Sequence, residues 1–196
     1  MKLAFTVCLI GCIVPAVAQQ SGGVTPAQWQ YANKEDPMSG KLFDMFLLEG
    51  RYLTPPSLGA LHVPSITVQC AGGKFTGALL SVGAVVQSSR DALGHMVSGQ
   101  VIVDMRLDEN KPTGDQWGIG NDGQTLFFDQ FSLTKLLTGR MIWGRLGKEE
   151  PLARRVRLSV GEAFSNPIVM QFDMPQDATQ LVQSCGLMGR RNGRKK

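Results

Sequence analysis

Two cysteines constrain this chain more than any other feature. The first residues, MKLAFTVCLIGCIVPAVA, place Lys2 ahead of an apolar run from Leu3 to Val14, followed by Pro15 and small residues at Ala16 and Ala18. That order is the pattern of a bacterial secretory signal peptide, with cleavage after Ala18. Cys8 and Cys12 leave with it, so Cys70 and Cys185 remain, in a compartment where thiols oxidise. Pairing them closes a loop of 115 residues. In the chain-entropy description a loop of about 100 residues stabilises the fold by roughly 4 to 5 kcal/mol. Two buried free thiols are the alternative, and the spacing is not the Cys-x-x-Cys of a redox pair.

The leader has two further readings. As a transmembrane anchor it is shorter than the roughly 20 apolar residues that cross a bilayer. Leu9, Ile10, Gly11 and Cys12 have the shape of a lipoprotein box, in which Cys12 becomes the lipidated first residue. That leaves a very short apolar run and the Ala16-Val17-Ala18 site unused. The expected location is therefore periplasmic or secreted. Residues 19–28 are rich in Gly, Ser and Gln and read as a flexible leader, residues 29–187 as one exported domain, and residues 188–196 as a basic, disordered tail.

The formal charge of +4 is misleading until the charges are located. Arg190, Arg191, Arg194, Lys195 and Lys196 sit in the last seven positions. Without them and Lys2, 14 of the 20 basic groups face 16 acidic ones, so the body is near neutral. A tail of this kind is a solvated end or a contact to anionic lipid or envelope polymer. Export disfavours nucleic acid.

Periodicity points to a mostly β chain. Ser65 to Cys70 alternates, with Ile66, Val68 and Cys70 on one face; Gln100 to Asp108 alternates more clearly, with Val101, Val103, Met105 and Leu107 together. Leu42 to Leu48 is a further strand candidate, and Pro55-Pro56 breaks what precedes it. Phe75 to Val86 pairs back onto Ser65 to Cys70 across the Gly72-Gly73 turn, with Gly77 and Gly83 as bends or bulges. A polar loop precedes Trp117, and Asn121-Asp122-Gly123 turns into Gln124 to Phe128. Phe131 to Leu137 reads as a short helix, and Arg140 to Leu146, Leu152 to Val160 and Ile168 to Met174 as strands. The last element changes period: Ala178, Leu181, Val182 and Cys185 make one helical stripe, with Asp177 and Gln180 spaced as a capping box and Gly186 just past the end. The expected fold is a single-domain antiparallel β-sandwich-like structure with a C-terminal α-helix packed on the sheet. In it Cys70 and Cys185 both point inward.

No catalytic constellation emerges. His62 and His95 have no metal-ligand spacing and read as structural or exposed histidines. There is no Gly-x-Ser-x-Gly elbow and no phosphate-cradling glycine pattern. Asp104 and Asp108 share a strand face, but Arg106 lies between them, as on a solvated sheet. Trp29, Trp117 and Trp143 read as core or, alternatively, as the lining of a ligand surface. Arg154, Arg155 and Arg157, near Lys148, form a local basic spot, either a solvated strand face or an anionic-partner site. Nothing here calls for a cofactor or a metal, and the chain reads as a non-enzyme.

Taken in order, the landmarks resemble a known family. They are the leader, Trp29 followed by Asp36-Pro37-Met38-Ser39-Gly40-Lys41, the strand ending Thr67-Val68-Gln69-Cys70, and the strand Val101 to Leu107. Trp117 with Asn121-Asp122-Gly123 follows, and then Val169-Met170-Gln171-Phe172-Asp173-Met174 ahead of a helix carrying Cys185-Gly186. Over about Trp29 to Leu187 the chain resembles the type VI secretion system-associated periplasmic proteins. The resemblance implies an exported β domain with one Cys-Cys bridge and an accessory, non-enzymatic role beside a protein partner in a cell-envelope machine. The loop from Gln87 to Ser98, the segment between Lys41 and Ser65 and the tail from Arg190 do not match the pattern, which supplies no catalytic residues. The alternatives are a cell-envelope hydrolase using His62 or His95 with an acidic partner, or a surface-binding structural protein held by its tail.

Overall fold

The computed structural model describes residues 27–35, 37–88, 99–138, 152–161 and 166–187. The expected signal segment and the expected Arg140 to Leu146 strand, with His95, Trp143, Lys148 and the basic tail, lie outside the described residues.

The alternating segments form strands with their apolar faces buried. Among the described residues these are β1 (Gln30–Glu35), β2 (Leu42–Glu49), β3 (Arg51–Thr54), β4 (Ser65–Ala71), β5 (Lys74–Ser81), β6 (Gln100–Leu107), β7 (Thr113–Ile119), β8 (Thr125–Phe128), β9 (Arg155–Val160) and β10 (Ile168–Asp173). The helices are α1 (Gln130–Thr138) and α2 (Thr179–Ser184). All strand pairs are antiparallel, in the order β1-β2-β4-β5-β8-β7-β6-β9-β10-β3. The chain is mostly β, a single antiparallel sheet curved around one core in a sandwich-like arrangement, with a small C-terminal helix.

Gly50 explains how the sheet closes. It is the one residue between β2 and β3, so β2 and β3 are a single strand that pairs with β4 before the glycine and with β10 after it. The ladder thus returns to the strand it left, which removes most free edges. A Cβ on Gly50 would sit 2.6 Å from Phe172 Cε1 and 2.8 Å from the Gln171 carbonyl oxygen. Only a hydrogen on that carbon admits the Phe172 ring, itself fully buried.

Three strands lie where no strand is expected from the sequence. β1 has almost no buried face, β3 has only four residues ahead of Pro55, and β7 carries Gly114 and Gly118. Each forms because a neighbouring strand offers it a ladder, a tertiary effect that overrides weak local propensity. α1 is buried from Ser132 through Thr138, and its threonines tolerate this because Thr134 and Thr138 donate their hydroxyls to the carbonyls of Gln130 and Thr134, each at 2.8 Å.

Cys70 and Cys185 form a disulfide with their Cα atoms 5.0 Å apart. Both are buried, Cys70 on the inward face of β4 and Cys185 at the end of α2, as their periods predict. The Phe75 N–H donates to the Cys185 carbonyl at 3.0 Å, which adds a main-chain tie between β5 and the chain end. α2 ends as its sequence suggests: Gly186 takes φ 61°, and the Leu187 N–H reaches the Val182 carbonyl. At its start Asp177 accepts from the Thr179 N–H, while Ala178 occupies the cap position without a side-chain bond.

Two outcomes follow from this packing. Gly50→Ala is expected to lower stability by about 2 to 3 kcal/mol through overpacking against Phe172, read as a shifted denaturant midpoint with an unchanged slope. Cys185→Ser is expected to cost about 4 kcal/mol, with the same loss on reducing the unaltered chain and no further loss on reducing the variant.

Candidate functional site

A cavity of about 450 Å³ opens where the chain runs into β1 and α2 follows β10. Trp29 and Phe46 form its apolar wall with Leu181, and Gln28, Asp177 and Gln180 supply polar groups. Two of its walls are held by ties between elements. Leu181 and Gln180 stand on α2, which the disulfide fastens to β4, and Phe46 stands on β2 opposite Tyr31 of β1. The Trp29 indole N–H is buried without an acceptor.

β1 is held by a polar latch. Asp44 on β2 accepts from the Asn33 amide at 2.9 Å and from the Tyr31 hydroxyl at 2.8 Å. The Asn33 bond, then the Tyr31 bond and a bond from Ser184 near the end of α2, hold its carboxyl below the ordinary value. The same bond to Asp44 raises the Tyr31 phenol. One carboxylate therefore joins β1, β2 and α2.

A second opening follows from the shortness of β8. That strand pairs with β5 over Ala78–Ser81 and with β7 at Gly118 and Ile119, then stops at Phe128 as the chain turns into α1. β5 and β7 run on, to Lys74 and Thr113, with no described strand between them. Two strand spacings separate such flanking strands, about 10 Å. The resulting groove has a volume of about 540 Å³, with Phe75, Phe127 and Phe131 on its walls and Asp115 and Asp129 at its polar positions. Phe127 is 51% exposed. Asp115 accepts from the Trp117 indole at 3.2 Å and from the Gln116 N–H at 3.1 Å, so it is fixed at the β7 edge. Asp129 accepts from the Ser132 N–H at 2.8 Å and caps α1.

The two described tryptophans separate in this structure. Trp117 is core, 1% exposed and stacked on Phe128 with centroids 4.4 Å apart, while Trp29 lines the cavity. Asp104 and Asp108 are not a convergent pair. Asp108 has φ 47° and spends one carboxylate oxygen on the N–H groups of Arg154 and Arg155, joining β6 to β9. Arg155 and Arg51 both meet Asp173, at 3.5 and 3.4 Å, and Arg157 donates to Gln171. The basic spot is thus part of a cross-strand network in which Arg106 stands opposite Arg157.

His62 is held in place by its neighbours. Its Nε2 is 3.2 Å from the Ser81 hydroxyl and its Nδ1 3.1 Å from the Val63 carbonyl oxygen. Tyr52 donates to the carbonyls of His62 and Val82, and burial raises its phenol. A carbonyl therefore stands where a hydrolytic histidine would have its carboxylate. The contacts fasten the loop before β4 onto the end of β5. Among the described residues no group of three or more His, Cys, Asp or Glu side chains is placed to hold a metal, and no helix is long and apolar enough to cross a membrane.

Of these residues, Trp29 was identifiable in the sequence as a possible ligand-lining side chain. Gln28, Gln180, Phe127 and Asp129 were not, since only the tertiary arrangement of strands, loops and helices brings them to an opening.

The depressed Asp44 carboxyl has a pH consequence. Its stabilisation is complete above the ordinary value of 3.8 and is lost as pH falls through its lower folded value. Hydrogen-exchange protection of β1, corrected for intrinsic rate, is expected to fall across that window in the unaltered chain. In Asp44→Asn the protection is expected to be low throughout and to change little with pH.

No family model matches the chain, and none of the curated proteins or solved structures matches it either.

Proposed function

We propose that this chain is an exported, non-catalytic accessory domain of a cell-envelope assembly, of the type VI secretion-associated kind, and that it works by holding a segment of a protein partner. The observation that carries this reading is the groove where β8 stops. Its width suits one extended chain, because it continues the lane that β8 occupies. Its walls offer Phe75, Phe127 and Phe131 to apolar side chains, and Asp115 and Asp129 to cationic ones. The partner segment is accordingly extended, with Lys or Arg flanking apolar residues. Such a segment gains burial against the rings and charge-assisted bonds to carboxylates that the fold already orients. The leader pattern and the Cys70–Cys185 bond support the exported location.

The test uses nine-residue synthetic peptides in which leucines alternate with lysines, against the same peptides with glutamate in place of lysine. The lysine set is expected to bind with a dissociation constant on the order of 10 to 100 μM at low salt and to weaken as salt rises. Phe127→Ala and Asp129→Asn are each expected to weaken it about tenfold. Equal binding of both peptide sets, or binding indifferent to both substitutions, overturns the reading. Tight binding only after removal of residues 188–196 identifies the chain's own tail as the occupant, and overturns the partner assignment.

A further inference from the structure

The Trp29 cavity stands apart from the groove, and its chemistry is different. Its volume, about 450 Å³, lies within the range of small-molecule sites. No Lys, Arg or His is among its lining residues, so an anion finds no counter-charge there. The one carboxylate, Asp177, already accepts from the Thr179 N–H at 2.9 Å and is held ionised by that bond and by the Thr179 side chain. An incoming anion would meet that charge. Gln28 and Gln180 contribute amides, each with a carbonyl acceptor and two N–H donors. Beside them is the half-buried indole of Trp29, an apolar surface of the cavity.

A ligand that satisfies all of these groups is uncharged, has one apolar face to lie on Trp29 and carries hydroxyl groups around its edge. It is not an extended peptide held by ladder bonds, because the walls are loop, helix, the chain leading into β1 and a side chain of β2, a strand paired on both sides. We infer that the cavity bounded by Trp29, Gln28 and Gln180 binds a neutral saccharide, with the C–H face of a sugar ring on the indole of Trp29 and ring hydroxyls on the two glutamine amides. The site depends on α2, and therefore on Cys185, because Gln180 and Leu181 stand on that helix.

The experiment titrates the mature disulfide-bonded chain with maltotriose and with tri-N-acetylchitotriose, and with glucuronic acid as the anionic comparison, following backbone amide shifts. Saturable binding of at least one neutral trisaccharide is expected, with a dissociation constant on the order of 1 mM and little change between low and high salt. Gln180→Ala, at an exposed helix position, is expected to weaken it about fivefold with the melting temperature unchanged. Trp29→Ala is expected to abolish it, and Trp29→Phe to retain part of it. Phe127→Ala, in the groove, is expected to leave it unaltered, so that failure of the peptide test and failure of this one are separable. No saturation by either neutral sugar at about 20 mM overturns the inference. So does preferential binding of glucuronic acid, or binding that Gln180→Ala leaves unchanged.

Discussion

The close approach of Phe172 to Gly50 is the contact on which the rest of the structure rests. A strand that bends from one ladder into another must bring its backbone near the residues it crosses, and at this crossing the Phe172 ring and the Gln171 carbonyl occupy the space of a Cβ. With that space free, one strand serves β4 on one side of the bend and β10 on the other. Closure gives β2 and β3 ladder partners on both sides of the bend and surrounds one core that includes Phe46, Val68, Met105, Leu158 and Met170. What remains outside the closed ladder is β1, and the short reach of β7 beyond the end of β8.

A closed sheet does not by itself secure the chain's last element. α2 has six residues, well below the length at which a helix is stable alone, so its position must come from tertiary ties. Three are present. Leu181 and Val182 are buried, Gly186 reverses the chain beside the Gly73 carbonyl, and the disulfide joins the helix end to β4. Gly186 belongs to this arrangement for two reasons: its positive φ, and the 2.5 Å that would separate a Cβ from the Gly73 oxygen. The Cys70–Cys185 bond is therefore structural in its immediate effect. Its functional effect is indirect, since the helix it fixes forms one wall of the Trp29 cavity.

How much of this was legible in the sequence depended on whether burial was one-sided. β4 and β6 bury every second residue, so their alternation was plain, and the inward placement of Cys70 came with it. β1 is exposed along nearly all its length and has no alternation to read. β7 looked like loop because Gly114, Asp115 and Gly118 are poor strand formers, yet β6 and β8 supply partners along much of it. α1 was legible as a helix but not as a buried one, because Ser132, Thr134, Lys135 and Thr138 are polar. The openings were the least legible. A cavity or groove is set by which strand stops first, and no local period encodes that β8 ends at Phe128 while its neighbours continue.

That origin also explains why the two openings differ in chemistry. The groove is an interruption within the sheet, so its walls come from β5, β7, the end of β8 and the start of α1, and its carboxylates accept from main-chain N–H groups there, Asp115 at Gln116 and Asp129 at Ser132. Carboxylates suit that task because they accept from N–H groups without needing a donor in return, and they leave the groove acidic. The cavity is instead a junction between sheet, loop and helix, where packing leaves space but few main-chain groups need a charged acceptor. Amide side chains and an indole line it, and its lining holds a single carboxylate already engaged with its own helix. An acidic slot shaped for a strand and a nearly neutral pocket beside a tryptophan are thus two outcomes of one closed ladder, the first where it is interrupted and the second where another layer meets it.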